Sequence, residues 1–486
     1  MDSIAISPRQ KALLWLGVFT LVGIALVQLY PDGFQQDSSY HFLFARWGWR
    51  YPYMLVGVWQ RPLFTFLYSF PAMIGYQTAR LFTVAICLAT AWQTWKLAQD
   101  LKLERSWLAV PLIFLQPSFF VLFPDLLTET LFALVFVIAL RLHTRGRVRL
   151  GMVVASLLVM ARPEGFFIGV LWGVWILFDK RASTVFWRRI PWSLLLAIGS
   201  FIWWLAAYIV TKDPLFIKHN WPSDWHEGVY GSAHFWSYPA RLPEMVGGLL
   251  LVPFLVGLVL LLKRREHWTL TTSFLVPFLL HTGFWVFGAV GEAGYPRYMV
   301  SVAPAMALIT LIGWNLLATV SWNTLVRFFP RLPPQIRLAT ASLILLISAA
   351  LCVLYLDGMP WPRDGWAIRD MHEWFLQNKR PVTKLVWSHA TMSAMFHDVD
   401  MTTRPYLTKD RATNRKMLQE SPSGTLIFWD SEIGPNWYSL TEQDFESIGY
   451  KRLRSQSYSL TGYLWTNWKG PMMGTRKLDL HLFYKE

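Results

Sequence analysis

Only two of the 486 residues are cysteines, Cys87 and Cys352, and both fall in apolar runs. A disulfide framework and a cysteine-based metal site are excluded on that ground. Charge is scarce too: 15% of the residues are Asp, Glu, Lys or Arg against 54% hydrophobic, and the mean hydropathy is +0.32. A soluble domain of this length does not carry such a balance. No internal repeat, low-complexity tract or glycine-rich phosphate loop occurs, so repeat architectures and nucleotide loops are set aside. The net charge of +15 would suggest nucleic acid in a soluble chain. Here the basic residues gather in the loops between apolar runs, and no nucleic-acid partner is expected.

Apolar runs of about 17–23 residues recur, long enough to cross a hydrocarbon core of roughly 30 Å. The chain reads as an integral, multi-pass membrane protein with about 11 transmembrane helices, near 12–30, 75–95, 106–123, 126–141, 150–161, 164–178, 191–210, 246–262, 269–289, 299–319 and 338–356. With the N-terminus cytoplasmic, Arg9 and Lys11, then Arg141, Arg145, Arg147 and Arg149, then Lys263, Arg264 and Arg265 all fall in inner loops. The positive-inside rule thus fixes the orientation. The first run has no small-residue cleavage site after it and reads as a retained helix. The expected division is a transmembrane domain over 1–356 and a small extracytoplasmic α/β domain over 357–486, with strands at 383–388 and 425–431 and amphipathic helices at 365–378 and 439–449.

Four outer features carry ionisable groups. In PDGFQQDSSYHFLFARWGWR (31–50), Asp37 precedes Tyr40, Leu43, Phe44 and Trp47 at helical spacing. These aromatics suit a short interfacial helix with its apolar side in lipid, holding Asp37 at headgroup height; a plain aromatic belt is the competing reading. In FPDLLTETLF (123–132), Asp125 and Glu129 lie four apart at a helix start, hence on one face, as a substrate site or as simple N-terminal capping. In VMARPEGFF (159–167), Pro163 and Gly165 turn the chain between two short half-spans and leave Arg162 and Glu164 near the outer interface. Such residues are functional candidates by default, with a structural pair as the alternative. In GEAGYPRYMV (291–300), Arg297 stands where its donor fork reaches a lipid phosphate or anchors the interface. His219, His226, Glu227 and His234 in the loop 211–245 match no zinc spacing.

These features, together with WQRPLF (59–64), resemble in order and sidedness the GT-C superfamily of polytopic, lipid-phosphate-sugar-dependent glycosyltransferases, over about residues 10–320. The resemblance implies an all-α GT-C-like membrane domain and an inverting, mannosyltransferase-like hexosyl transfer on the extracytoplasmic face. The donor would be a polyprenyl-phosphate-linked sugar and the acceptor a hydroxyl on a glycan, lipid or protein. It makes Asp37 the catalytic residue; from their chemistry and sidedness, Asp125, Glu129, Arg162, Glu164, Arg297 and Arg61 (from WQRPLF) are expected to bind substrate. No metal ligands are assigned, and assistance by a divalent metal stays open. The GFQQDSS loop lacks the His-Pro-Glu-Glu signature of GPI mannosyltransferases, and FWDSEIG (428–434) only partly echoes the oligosaccharyltransferase WWD motif. A transporter or flippase of lipid-linked or sugar substrates is the alternative; no inverted repeat supports it.

Overall fold

The computed structural model describes residues 6–222, 230–328, 335–378, 380–400, 407–466 and 470–486. Its first helix, Pro8–Leu29, starts as its sequence dictates. Ser7 accepts a hydrogen bond from the Gln10 N–H, the Gln10 side chain accepts one from the Ser7 N–H, and Pro8 fills a position that needs no amide hydrogen. Among the described residues, five helices are long and apolar enough to cross a membrane: Pro8–Leu29, Phe186–Thr211, Trp268–Phe287, Pro296–Val320 and Leu338–Asp357. Phe235–Val246 and Leu251–Arg264, bent by 110°, make a sixth if counted as one broken span.

The expected count of about 11 crossings is therefore not supported. The apolar runs are helical, but several are short, as in Pro62–Ile74, Val148–Ala161 and Gly165–Phe178. At 1.5 Å per residue, a helix of 14 residues covers only about 21 Å. The run 106–123 breaks into Ala109–Phe114 and Pro117–Leu122, because Pro117 cannot continue the hydrogen-bond ladder and Gln116 before it is extended. Tyr76–Asp100 is long but carries Arg80, fully buried, which donates to the carbonyls of Tyr30 (2.6 Å) and Pro124 (2.7 Å). That single guanidinium ties together the two loops that precede the site.

Beyond Asp357 the chain builds a four-stranded sheet of β1 (Lys384–Trp387), β2 (Thr425–Asp430), β3 (Tyr450–Thr466) and β4 (Gly470–Lys485) in the order β1-β2-β4-β3. β1 and β2 are parallel; β4 runs antiparallel to both its neighbours. Every residue of β2 is buried, as a strand covered on both faces requires. Leu426 and Phe428 face one core with the Trp361–Gln377 helix, while Ile427 and Trp429 face another with Phe445 and Phe483.

The helix Gln36–Trp47 departs from expectation. Leu43 is buried in the first of those sheet cores, beside Ala367, Ile368 and Phe428, and Trp47 packs against it. Phe42 belongs to the main helical core, and Phe44 meets Trp59 edge-on. The apolar side is covered by protein, not lipid: periodicity revealed a face to bury but not what would bury it. Polar clamps complete the docking. Arg46 reaches Asp398 (2.5 Å), Tyr51 donates to Asp400 (2.6 Å), and Arg369 pairs with Asp32. Gly365 is required beside Asp32, since a Cβ there would overlap its side chain.

Candidate active site

The charged residues come from separate chain segments. Glu129 stands in the first turn of Thr128–Thr144 and is 1% exposed. Arg162 closes Val148–Ala161 with extended backbone, as a residue before proline does. Its Nη1 lies 2.8 Å from Glu129 in an ion pair and donates to the Thr128 hydroxyl (2.9 Å), and its Nη2 donates to Glu164 (2.7 Å). Arg297 enters from the 3-10 turn Pro296–Val302. Its Nη2 donates to Asp37 (2.6 Å), its Nη1 to Gln35 (2.9 Å), and its Nε lies 3.7 Å from Glu129. One carboxylate thus links two guanidinium groups, and both flank the Tyr298 ring, at 5.5 and 6.0 Å from its centroid.

Asp37 is the most accessible acid of the group, its side chain about a third exposed (34%) against 2% for Glu129. It lies in the first turn of its helix, at the positive end of the dipole. Burial works to raise its pKa, but the charge and hydrogen bond of Arg297, with the charge of Arg162 beyond, outweigh this and hold the carboxyl below its ordinary value. Arg61 sits close enough to feel Arg162, Glu164, Glu129 and Asp37; burial, reinforced by Arg162, brings it down to about 10, so it keeps its charge. Its φ of +63° ahead of Pro62 is strained for a side-chain-bearing residue, a kind of outlier that concentrates at functional sites.

Asp125 corrects the sequence reading. The helix begins at Thr128, three residues after it, so Asp125 and Glu129 do not share a helical face. Asp125 is fully buried and accepts hydrogen bonds from the Phe34 N–H (2.9 Å) and the Ser38 hydroxyl (2.6 Å). It staples the Asp37 loop to its own and holds no position in the charge cluster. Arg162 and Glu164 do form a pair, with Glu129 as the second carboxylate.

Sequence reasoning passed over His41, one turn after Asp37. It is buried between Trp59 and Phe64, and its Nδ1 has no hydrogen-bond partner among the described residues. Burial pushes the imidazole down to about 3, against the opposing pull of Asp37 and aided by Arg61, Arg162 and Arg297. The i, i+4 spacing from Asp37 was the available signal. Also missed were Glu292 and His281, joined at 2.7 Å. His219 pairs with Asp213 (2.8 Å) at the surface, while His226 and Glu227 lie outside the described residues. Among the described residues, no three His, Cys, Asp or Glu side chains are grouped to hold a metal.

Beside the cluster runs a narrow cleft, walled by Phe132, Phe167, Ile168, Leu280 and Phe284, with Glu164, His281 and Tyr298 at its polar side. Its walls are hydrocarbon, and the guanidinium groups stand behind that polar side, where Arg162 pairs with Glu164 and both arginines flank Tyr298.

No protein-family model and no curated protein matches the chain. Solved structures do. The apo crystal structure of ArnT from Cupriavidus metallidurans aligns over 97% of this chain and 98% of its own, with a TM-score of 0.60 at 13% identity. ArnT from the same organism bound to undecaprenyl phosphate aligns over 96% and 98%, with a TM-score of 0.53 at 12% identity. At that identity the likeness establishes the fold, and it is the GT-C-like fold that the sequence resemblance implied.

Proposed function

We propose that this chain, with its ArnT-like fold, is a membrane glycosyltransferase that moves a sugar from a polyprenyl-phosphate donor to an acceptor hydroxyl, inverting the anomeric centre. The observation that carries the reading is Asp37 held against Arg297, with Arg162 beside it, next to an apolar cleft lined by Arg162's partner Glu164 and by Tyr298. A lipid-linked sugar phosphate brings an apolar tail, an anionic leaving group and an anomeric carbon into one place. The cleft's hydrocarbon walls suit the start of such a tail, and Arg162 and Arg297 supply cations for the charge that grows on the departing phosphate. Asp37 orients and deprotonates the acceptor hydroxyl. Arg297 holds Asp37; the donor phosphate competes for that guanidinium and frees the carboxylate for the acceptor. Glu129 and Glu164 hold Arg162, and Arg61 adds a cation nearby.

The basic inner loops and the helix-rich build support an extracytoplasmic site, with the sheet domain after about residue 357 on the same side. A mannosyl or other hexosyl donor and a glycan, lipid or protein acceptor are all compatible with this chemistry. The ArnT structure holding undecaprenyl phosphate supports a polyprenyl carrier. Radiolabelled sugar transfer from polyprenyl-phosphate sugars by the purified protein tests the reading. Labelled product is expected. Uptake of sugar into sealed vesicles without product would overturn it in favour of a transporter.

A further inference from the structure

A different group of cations stands at the end of the bundle opposite Asp37. Glu129 sits in the first turn of Thr128–Thr144 and Arg145 follows its last; the helix has 17 residues, so about 25 Å separates the two ends. Val148–Ala161 then carries the chain back to Arg162. Basic residues accumulate at the far end. TRGRVRL (144–150) and DKRASTVFWRRIPWS (179–193) hold three and four arginines and lysines, against one carboxylate, Asp179.

The fold fastens these two stretches together and commits part of their charge. Arg181 pairs with Asp179 (2.7 Å) and reaches the Thr144 carbonyl (3.3 Å). Arg189 is buried and donates to the carbonyls of Leu177 and Ser183, each at 2.7 Å, which pins the turn between them. The Arg149 guanidinium lies over Trp192, 3.5 Å from its ring centroid, and Arg145 pairs with Asp100 (3.4 Å). Arg147, Lys180 and Arg188 remain. All three are exposed, and none has a carboxylate partner among the described residues.

What lies beside them is apolar and uncovered. Trp187 is 73% exposed, and Phe186 and Ile190 are exposed too. The same chain continues as the apolar helix Phe186–Thr211, whose Leu194, Phe201 and Ile202 are also uncovered. In a multi-pass membrane protein that surface faces lipid, and the patch is its continuation. Cations and amphipathic rings at the end of a lipid-facing helix match the boundary between headgroups and acyl chains. Depth favours lipid over a soluble acidic protein. Gly165–Phe178 has 14 residues and covers about 21 Å, against a hydrocarbon core of roughly 30 Å. With Glu164 near the opposite interface, Lys180 comes no further out than the headgroups, so lipid phosphates meet it first.

We infer that Arg147, Lys180 and Arg188, with Trp187 at the acyl boundary, form a docking surface for anionic phospholipid headgroups in the leaflet opposite the Asp37 site. No residue of the Asp37 cluster takes part, so this surface and the donor reading stand or fall separately.

The test is native mass spectrometry of the full-length protein in detergent, offered phosphatidylglycerol and phosphatidylcholine with the same acyl chains. The wild type should retain phosphatidylglycerol in preference. Combining Arg147→Gln, Lys180→Gln and Arg188→Gln should cut that preference about ten- to hundred-fold, because each cation near an anionic lipid contributes a few-fold. Phosphatidylcholine retention should be unchanged, whereas Trp187→Ala should weaken both lipids alike. A control combining Lys263→Gln, Arg264→Gln and Arg265→Gln should lose less, since Glu266 stands beside those cations. Melting temperatures identify a triple variant that fails to fold; the three single replacements, each expected to lose a few-fold, then decide. Equal retention of both lipids by the wild type, or an equal loss in the control, overturns the docking surface. So does displacement of phosphatidylglycerol by inorganic phosphate at constant ionic strength, which would mark a phosphate site. Capture of polyglutamate without any lipid preference would overturn it in favour of an acidic protein partner.

Discussion

Two buried charge clusters occupy this molecule, built from the same residue types and set to different ends. In the sheet domain, Asp364 pairs with Arg476 and lies 3.6 Å from His389, Arg476 also reaches Glu432, and Asp430 bonds to Ser388. Asp430 also accepts the Glu432 (3.0 Å) and Ile433 (2.6 Å) amides. Asp364, His389 and Asp430 are all at most 2% exposed, and Glu432 is about a third exposed at the edge (35%). The Asp37 cluster has the same arginine–carboxylate pairing and likewise keeps acids partly exposed, Asp37 and Glu164, but it borders an apolar cleft. Pairing with an accessible acid therefore does not mark a site. Somewhere for a ligand to lie does.

The comparison breaks most visibly at Asp37. Asp37→Asn keeps the shape while removing the base, and loss of a general base costs about a hundred- to ten-thousand-fold in rate. Transfer assayed on the purified variant should fall that far with the melting temperature held; near-normal transfer would remove Asp37 from the mechanism and point to Glu129. The opposite pattern is expected at Asp364→Asn. Breaking this buried ion pair leaves Arg476 only the partly exposed Glu432, at a cost of up to about 3–5 kcal/mol, so denaturant unfolding should register the loss while turnover per folded molecule is unchanged. A selective kinetic defect with full stability would make the second cluster a site as well.

A smaller effect sharpens the contrast through pH. His41 is held near about 3 from an ordinary 6.5 by burial, so the unfolded chain binds its proton more readily between those values. Stability should therefore decline as pH falls from 6.5 towards 3. Asp37 has the depressed carboxylate behaviour, its contribution present above the ordinary 3.8 and lost only as pH falls through its lower folded value. Replacing His41 with Phe should flatten the upper part of that decline in urea titrations at several pH values; an unchanged slope would show that His41 titrates normally.

Much of the site was legible because local rules placed it. Pro163 forces the break that ends a helix at Arg162, and Asp37 stands just beyond an apolar run. What was not legible depended on register and partners. Asp125 and Glu129 were grouped by a spacing valid only if the helix had already begun, and it starts at Thr128. Glu292 drew no attention in the sequence, and only the fold sets it against His281, 11 residues away. In the sheet, the short buried strands β1 and β2 showed in their apolar runs. The β3–β4 hairpin did not, since KRLRSQS offers few apolar positions to reveal alternation and its exposed face hides the strand.

The helix Gln36–Trp47 has one consequence beyond catalysis. With Phe42 in the helical core and Leu43 in the sheet core, it is a shared rivet, and neither core is complete without it. The bundle and the sheet then lack the independence of domains joined by a linker. Cutting the sheet away would strip the cover from the segment that carries Asp37, so a shortened bundle would lose that carboxylate's footing before any residue of the charge cluster had been changed.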